Sequence, residues 1–170
     1  MSHKFFRLFV SLTLAMSLTA INSGTQPVRA AGPWYVATTG DDNNDCLSPS
    51  TACATINGAI GKASDGDTIN VATGTYTSTS SFVVNINKDI TLSGGWDPAF
   101  TSHSAPSNID GQGVRGGIAI GNTNQSTITT IEYFQVEHSC SGVFNYGTLT
   151  LQNSTITNNK NDNKVEIQIP

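Results

Sequence analysis

One stretch of this chain repeats itself. Ser126-Thr-Ile-Thr-Thr-Ile-Glu-Tyr-Phe-Gln-Val-Glu-His138 aligns with Tyr146-Gly-Thr-Leu-Thr-Leu-Gln-Asn-Ser-Thr-Ile-Thr-Asn158 at an offset of 20 residues. The alignment lays Ile131 on Leu151, Val136 on Ile156 and Thr130 on Thr150. Both copies alternate and are rich in β-branched residues, so each reads as one or two strands rather than a helix. A β unit of this size cannot bury its apolar face alone, whereas stacked copies bury one continuous core. The expected fold is therefore all-β and built coil upon coil.

Other segments supply further rungs. Ile69 and Val71 stand 21 residues before Ile90 and Leu92, close to the later offset, so the two pairs are expected to stack. Phe82-Val-Val-Asn-Ile86 adds a strand between these pairs, and Gly117-Ile-Ala-Ile120 adds one between Leu92 and the repeat. Residues 97–108, with Pro98 and Pro106, read as a loop leaving the coils. Asn153, Asn158 and Asn159 stand where turns between strands would stack. Composition agrees: 22 Thr, 16 Asn and 16 Gly replace charged residues, which make up only 12% of the chain. Thr favours strands, and Asn and Gly favour tight turns.

The ends read differently. Lys4 and Arg7 precede an apolar run from Leu8 to Ala20, and Val28-Arg29-Ala30 is a small-x-small pattern ahead of Ala31. This is the architecture of a secretory signal over residues 1–30, with an uncleaved N-terminal anchor as the alternative. The run is too short to cross a bilayer comfortably, so no membrane span is expected after cleavage. Removing Lys4, Arg7 and Arg29 leaves five of the eight basic residues against twelve acidic ones, a formal net charge of −7. An acidic domain without a basic cluster argues against nucleic-acid partners. After Asn159 the pattern fails, leaving residues 160–170 as an irregular tail in which Val165-Glu-Ile-Gln-Ile169 alternates once. The expectation is the N-terminal piece of a longer solenoid, incomplete at its C-terminus and able to self-associate end to end.

Residues 54–63 form the one helical stretch. Ile56, Ala59, Ile60 and Ala63 make a narrow apolar face, Thr55 or Thr51 can cap it, and Ser64-Asp65-Gly66 ends it. Gly58 and Gly61 each weaken it by roughly 1 kcal/mol relative to alanine, so it needs a surface to lie on.

Trp34-Tyr-Val-Ala-Thr-Thr-Gly-Asp41, Leu47-Ser-Pro-Ser-Thr-Ala-Cys-Ala-Thr-Ile56 and Gly66-Asp-Thr-Ile-Asn-Val-Ala-Thr-Gly-Thr-Tyr76 together resemble the opening of bacterial secreted right-handed parallel β-helix proteins of the pectin-lyase-like kind. Ile90-Thr-Leu-Ser-Gly-Gly-Trp-Asp97 and Ile109-Asp-Gly-Gln-Gly113 fit the same pattern. Residues 145–158 resemble the repeats of chlamydial-type polymorphic outer-membrane proteins. The resemblance spans about residues 34–159. It implies a parallel β-helix over residues 67–159, behind an N-terminal cap at 31–66 whose short helix closes the first coil. It is weak for activity, because the fold hosts lyases, hydrolases, adhesins and coat proteins.

Candidate chemistry is sparse. Cys46 and Cys53 flank a turn-rich loop that could close as a disulfide in an oxidising compartment, against two free thiols; Cys140 is left over as a buried small side chain. Asp41, Asn43 and Asp45 have the spacing of half a calcium loop, but Cys46 stands where its glycine belongs and Ala52 where its final glutamate does, so a turn is the better reading. Calcium is thus the one cofactor to consider, and none is expected. Gly111-Gln-Gly-Val-Arg-Gly116 matches a dinucleotide fingerprint, yet strand and turn residues follow instead of a helix.

Polysaccharide-cleaving members of the fold use a basic residue with calcium, or clustered aspartates. Here Arg115 lies near Asp110, and Glu132, Glu137 and His138 stand on adjacent rungs. Glu132 and His138 are an even six apart, which puts both on one face of a straight strand; Glu137 then faces away. The outer faces of the coils would be flat and rich in Thr and Asn, able to hydrogen-bond sugar hydroxyls, with Trp34, Tyr133 and Tyr146 as candidate stacking rings. Trp96 and Phe134 read better as packing. The functional expectation is a secreted or cell-surface β-helix scaffold that binds polysaccharide or another cell-surface component. The alternative is a polysaccharide lyase or glycosidase of the same fold.

Overall fold

A computed structural model describes residues 32–124 and 126–160. The chain divides into units 1–30 and 31–170, and the described residues all belong to the second. The expected signal at 1–30 lies outside the described residues, and so does the expected irregular tail beyond Lys160.

The fold is all-β, with parallel sheets and little helix. Strand β1 (Trp34–Val36) is followed by a 3-10 turn at Pro49–Thr51 and by helix α1 (Ile56–Lys62). Then come β2 (Thr68–Ala72), β3 (Thr75–Tyr76), β4 (Phe82–Ile86), β5 (Ile90–Trp96), β6 (Ser107–Asp110) and β7 (Gly116–Ile120). The last five are β8 (Ile128–Glu132), β9 (Phe134–Glu137), β10 (Val143–Asn145), β11 (Thr148–Gln152) and β12 (Thr155–Ile156). The first sheet runs β1-β2-β5-β8-β11, the second β3-β6-β9-β12, and the third β4-β7-β10. From β2 onward the chain therefore visits the three sheets in rotation.

The repeat read from sequence is the register of the last circuit. Thr130 pairs with Thr150, Ile131 with Leu151 and Val136 with Ile156. The earlier circuit differs from expectation. Ile69 pairs with Leu92, not with Ile90, so the offset is 23 rather than 21. A slip of two residues keeps every side chain on its own face, so the apolar pattern alone cannot distinguish the two registers. Beyond Asn70 the register shifts again across Gly94 and Gly95, bringing Ala72 opposite Trp96.

Inward positions stack as aliphatic columns. Ile69, Leu92 and Ile131 are fully buried in the first sheet, Ile109 and Val136 in the second, and Val84, Ile86, Ile118 and Ile120 in the third. Each such side chain contributes roughly 1.5–3 kcal/mol on burial. Corners fall at recurring positions with left-handed backbone. Tyr133 and Asn153 turn the chain out of the first sheet, and His138 and Asn158 out of the second. Asparagine tolerates this conformation better than most residues, which accounts for Asn153 and Asn158.

The starting edges of the first and third sheets are covered. Cys46 and Cys53 are joined with their Cα atoms 5.1 Å apart. Their loop pairs with β1: Tyr35 N donates to Cys46 O, Cys53 N to Tyr35 O and Ala37 N to Cys53 O, each at 2.9 Å. Gly40 is required here, because an added Cβ would run into the Cys53 carbonyl. Helix α1 is shorter than the stretch expected at 54–63. Thr55 caps it, its hydroxyl accepting from Gly58 N at 2.9 Å. Its apolar face, Ile56, Ala59 and Ile60, is buried. Asn57 reaches the edge of β4, donating to Val83 O and accepting from Asn85 N, both at 2.9 Å.

Candidate functional site

The outer face of the first sheet presents two rows of polar side chains. Thr68, Thr91, Thr130 and Thr150 are successive Cα partners across β2, β5, β8 and β11. Two residues further along lie Asn70, Ser93, Glu132 and Gln152, again in register. Neighbouring strands stand about 4.8 Å apart and alternate residues about 6.7 Å apart, so the rows form a rectangular array of polar groups. Among the described residues the four threonine hydroxyls have no hydrogen-bond partner, and neither does the side chain of Asn70, Glu132 or Gln152. Ser93 differs: it is buried, and its hydroxyl accepts from Trp96 Nε1 at 3.2 Å.

Residues 97–106 fold back beside this array as a strap. Asp97 organises it, with Oδ1 accepting from Ala99 N and Thr101 N, and Oδ2 from the hydroxyls of Thr101 (2.7 Å) and Ser102 (2.8 Å). The Thr101 hydroxyl, then the Thr101 N–H and the Ser102 hydroxyl, hold this carboxyl far below the usual carboxylate range. His103 sits between Trp96 and Tyr133, at ring-centroid distances of 4.2 and 4.1 Å. Its Nδ1 donates to Gly94 O at 2.9 Å. Phe100 packs edge-on against Tyr35 at 4.9 Å.

The expected stacking rings fare differently. Trp34 is 3% exposed and its Nε1 donates to Asp67 Oδ2 at 2.8 Å, so it is an interior residue and no ligand can stack on it. Tyr133 has His103 against one face. Tyr146 is 43% exposed, with Phe144 edge-on at 4.9 Å, and lies at a different corner of the chain. Trp96 packs, as read from sequence, but on His103 and over Ser93.

Asp110 and Arg115 flank one turn and both meet Gln112. Asp110 Oδ1 accepts from Gln112 N at 2.8 Å, and Arg115 Nη1 donates to Gln112 Oε1 at 3.0 Å. Asp110 also faces His138, with 3.5 Å between Oδ1 and Nδ1. An even spacing puts Glu132 and His138 on one face only if the strand between them is straight. The left-handed backbone at Tyr133 ends that strand, so Glu132 belongs to the first sheet and Glu137 to the second. Glu137 is the cross-strand partner of Asp110, a pairing hidden from sequence by the irregular length of that circuit. Its two oxygens accept from Asn108 Nδ2 (2.9 Å) and Gln135 Nε2 (2.8 Å).

The candidate calcium residues are used in turns. Asp41 Oδ1 accepts from both Asn43 N and Asn43 Nδ2. Asp45 Oδ1 accepts from the Thr51 hydroxyl at 2.6 Å and from Leu47 N, and these bonds lower its pKa. No group of three or more His, Cys, Asp or Glu able to hold a metal occurs among the described residues. Cys140 is half-buried rather than buried, its thiol 3.5 Å from Gly113 O. Among the described residues no helix is long and apolar enough to cross a membrane. No family model, curated protein or solved structure matches the chain.

Proposed function

We propose that this chain is a secreted or cell-surface right-handed parallel β-helix that binds polysaccharide on the outer face of its first sheet. The rotation of strands among three parallel sheets supports the β-helix reading, as does the 20-residue register of the last circuit. The observation that carries the binding reading is the ladder of four threonines with unpartnered hydroxyls, flanked by Asn70, Glu132 and Gln152. A hydroxyl both donates and accepts, so a threonine row matches the mixed donors and acceptors of a sugar chain. The threonine methyl groups offer apolar contact to the C–H faces of the same rings.

The test is retention of the secreted protein on immobilised neutral and acidic polysaccharides, with new reducing ends and unsaturated products followed in parallel. We expect retention without turnover. Thr91→Val with Thr130→Val keeps shape and removes two hydroxyls, and should cut retention at least tenfold. Undiminished retention of that double variant would remove the ladder from the function.

A hydrolase reading is favoured by one observation, the adjacent carboxylates of Asp110 and Glu137. Turnover abolished by Asp110→Ala would establish it over the binding reading.

A further inference from the structure

A cleft of about 600 Å³ opens elsewhere on the molecule, between the first turn of α1, the loop joining β3 to β4, and the turn between β6 and β7. That volume suits a small-molecule site. Its floor is apolar: Ile56, Tyr76, Val83 and Val84 are all buried. Its walls are hydroxyls, and those of Thr38, Thr75, Thr77 and Thr79 meet no hydrogen-bond partner among the described residues.

Among the described residues Arg115 is the one charged residue lining the cleft. It forms no ion pair among the described residues, although the chain carries twelve acidic residues against eight basic ones. Its single side-chain bond, from Nη1 to Gln112 Oε1, orients the guanidinium and leaves its other N–H groups unused. A planar guanidinium with spare donors matches the two oxygens of a carboxylate or phosphate.

We propose that this cleft binds a sugar-sized polyol carrying one anionic substituent. The anion lies on Arg115, the hydroxyls meet the threonine walls, and the C–H face of the ring rests on the apolar floor. Carboxylate and phosphate share this chemistry, so both belong in the test. The site is separate from the threonine ladder, and its occupancy does not depend on polysaccharide binding there.

Calorimetric titration of the secreted protein with glucuronate, glucose 6-phosphate, glucose and inorganic phosphate decides the matter. One or both anionic sugars should bind at least tenfold more tightly than glucose, and whichever does names the anion. Arg115→Ala should reduce that ligand to the level of glucose, Arg115→Lys should recover part of the loss, and added salt should weaken binding. Thr77→Val is an independent variant on the β3–β4 loop, expected to weaken the anionic sugar severalfold. Glucose binding as tightly as the anionic sugars would overturn the proposal. So would inorganic phosphate matching glucose 6-phosphate, since the hydroxyl walls would then contribute nothing. Failure of all three sugars to bind, or unchanged binding of the anionic sugar by Arg115→Ala and Thr77→Val, would overturn it equally.

Discussion

Asn57 stands beside Asn85 as a neighbouring strand would. Its side-chain amide accepts from Asn85 N at 2.9 Å while donating to Val83 O at 2.9 Å, which reproduces the bonding of a peptide group on the free edge of β4. An unpaired edge is a template for other chains, and a helix that carries one well-placed amide closes it. Asn57→Ala removes two hydrogen bonds, each worth about 0.5–1.5 kcal/mol, so a loss of about 1–3 kcal/mol is expected in chemical denaturation. Asn57→Asp retains the acceptor but sets a carboxylate against the Val83 carbonyl, and is expected to recover none of that loss. Wild-type stability in Asn57→Ala would show that the amide contributes nothing to the edge.

The disulfide loop is the cover of β1, so its loss should open the first sheet at that end. In the chain-entropy model, a loop this small contributes about 2–3 kcal/mol. Cys46→Ala with Cys53→Ala is expected to destabilise by that amount. Without reduction, intact-mass measurement after alkylation should find one modified thiol, Cys140, on a secreted chain beginning at Ala31. Three modified thiols would contradict the bridge, and a retained Met1 would contradict the cleavage.

Asp97 links the strap to pH. Its folded pKa lies below the ordinary value of 3.8, so the stabilisation is fully present above that value and is lost as pH falls through the folded pKa. Phe100 of the strap packs edge-on against Tyr35, and its ring protons should show displaced NMR shifts while the strap is closed. Those shifts are expected to persist down to pH 4 and to collapse only in stronger acid, whereas Asp97→Asn should weaken them at neutral pH. Unchanged shifts in Asp97→Asn would dissociate the carboxylate from the strap.

Tyr76 places a phenol inside the fold, where its hydroxyl donates to Ala72 O at 2.9 Å. Burial pushes its pKa well above the ordinary 10.0, because the phenolate would lose its solvation. With a raised folded pKa, its contribution is fully present below pH 10 and lost as pH rises toward the folded value. Spectrophotometric titration should show one tyrosine that ionises only with unfolding, and Tyr76→Phe should remove that step. The stability cost of Tyr76→Phe is expected to be at most about 1 kcal/mol, since Ala72 O also accepts from Ser107 Oγ at 2.9 Å.

Periodicity alone determined the all-β character, the 20-residue pairing of Thr130 with Thr150 and Ile131 with Leu151, and the corner role of Asn153 and Asn158. These are local facts: alternation sets the inward face, and asparagine tolerates the left-handed turns that fall at Asn153 and Asn158. The loop spacing likewise pointed to the bridge between Cys46 and Cys53. The tertiary structure decided what depends on the length of each circuit and on bends. Only register shows that Ile69 meets Leu92, because a two-residue slip leaves the pattern unchanged. Only the turn at Tyr133 assigns Glu132 and Glu137 to different sheets, and only the irregular circuit brings Asp110 beside Glu137. Trp34 shows the same limit from the other side. Its composition suits a sugar-stacking ring, but the choice between core and surface rests on which face of β1 meets Asp67, and that face is set by strands far along the chain.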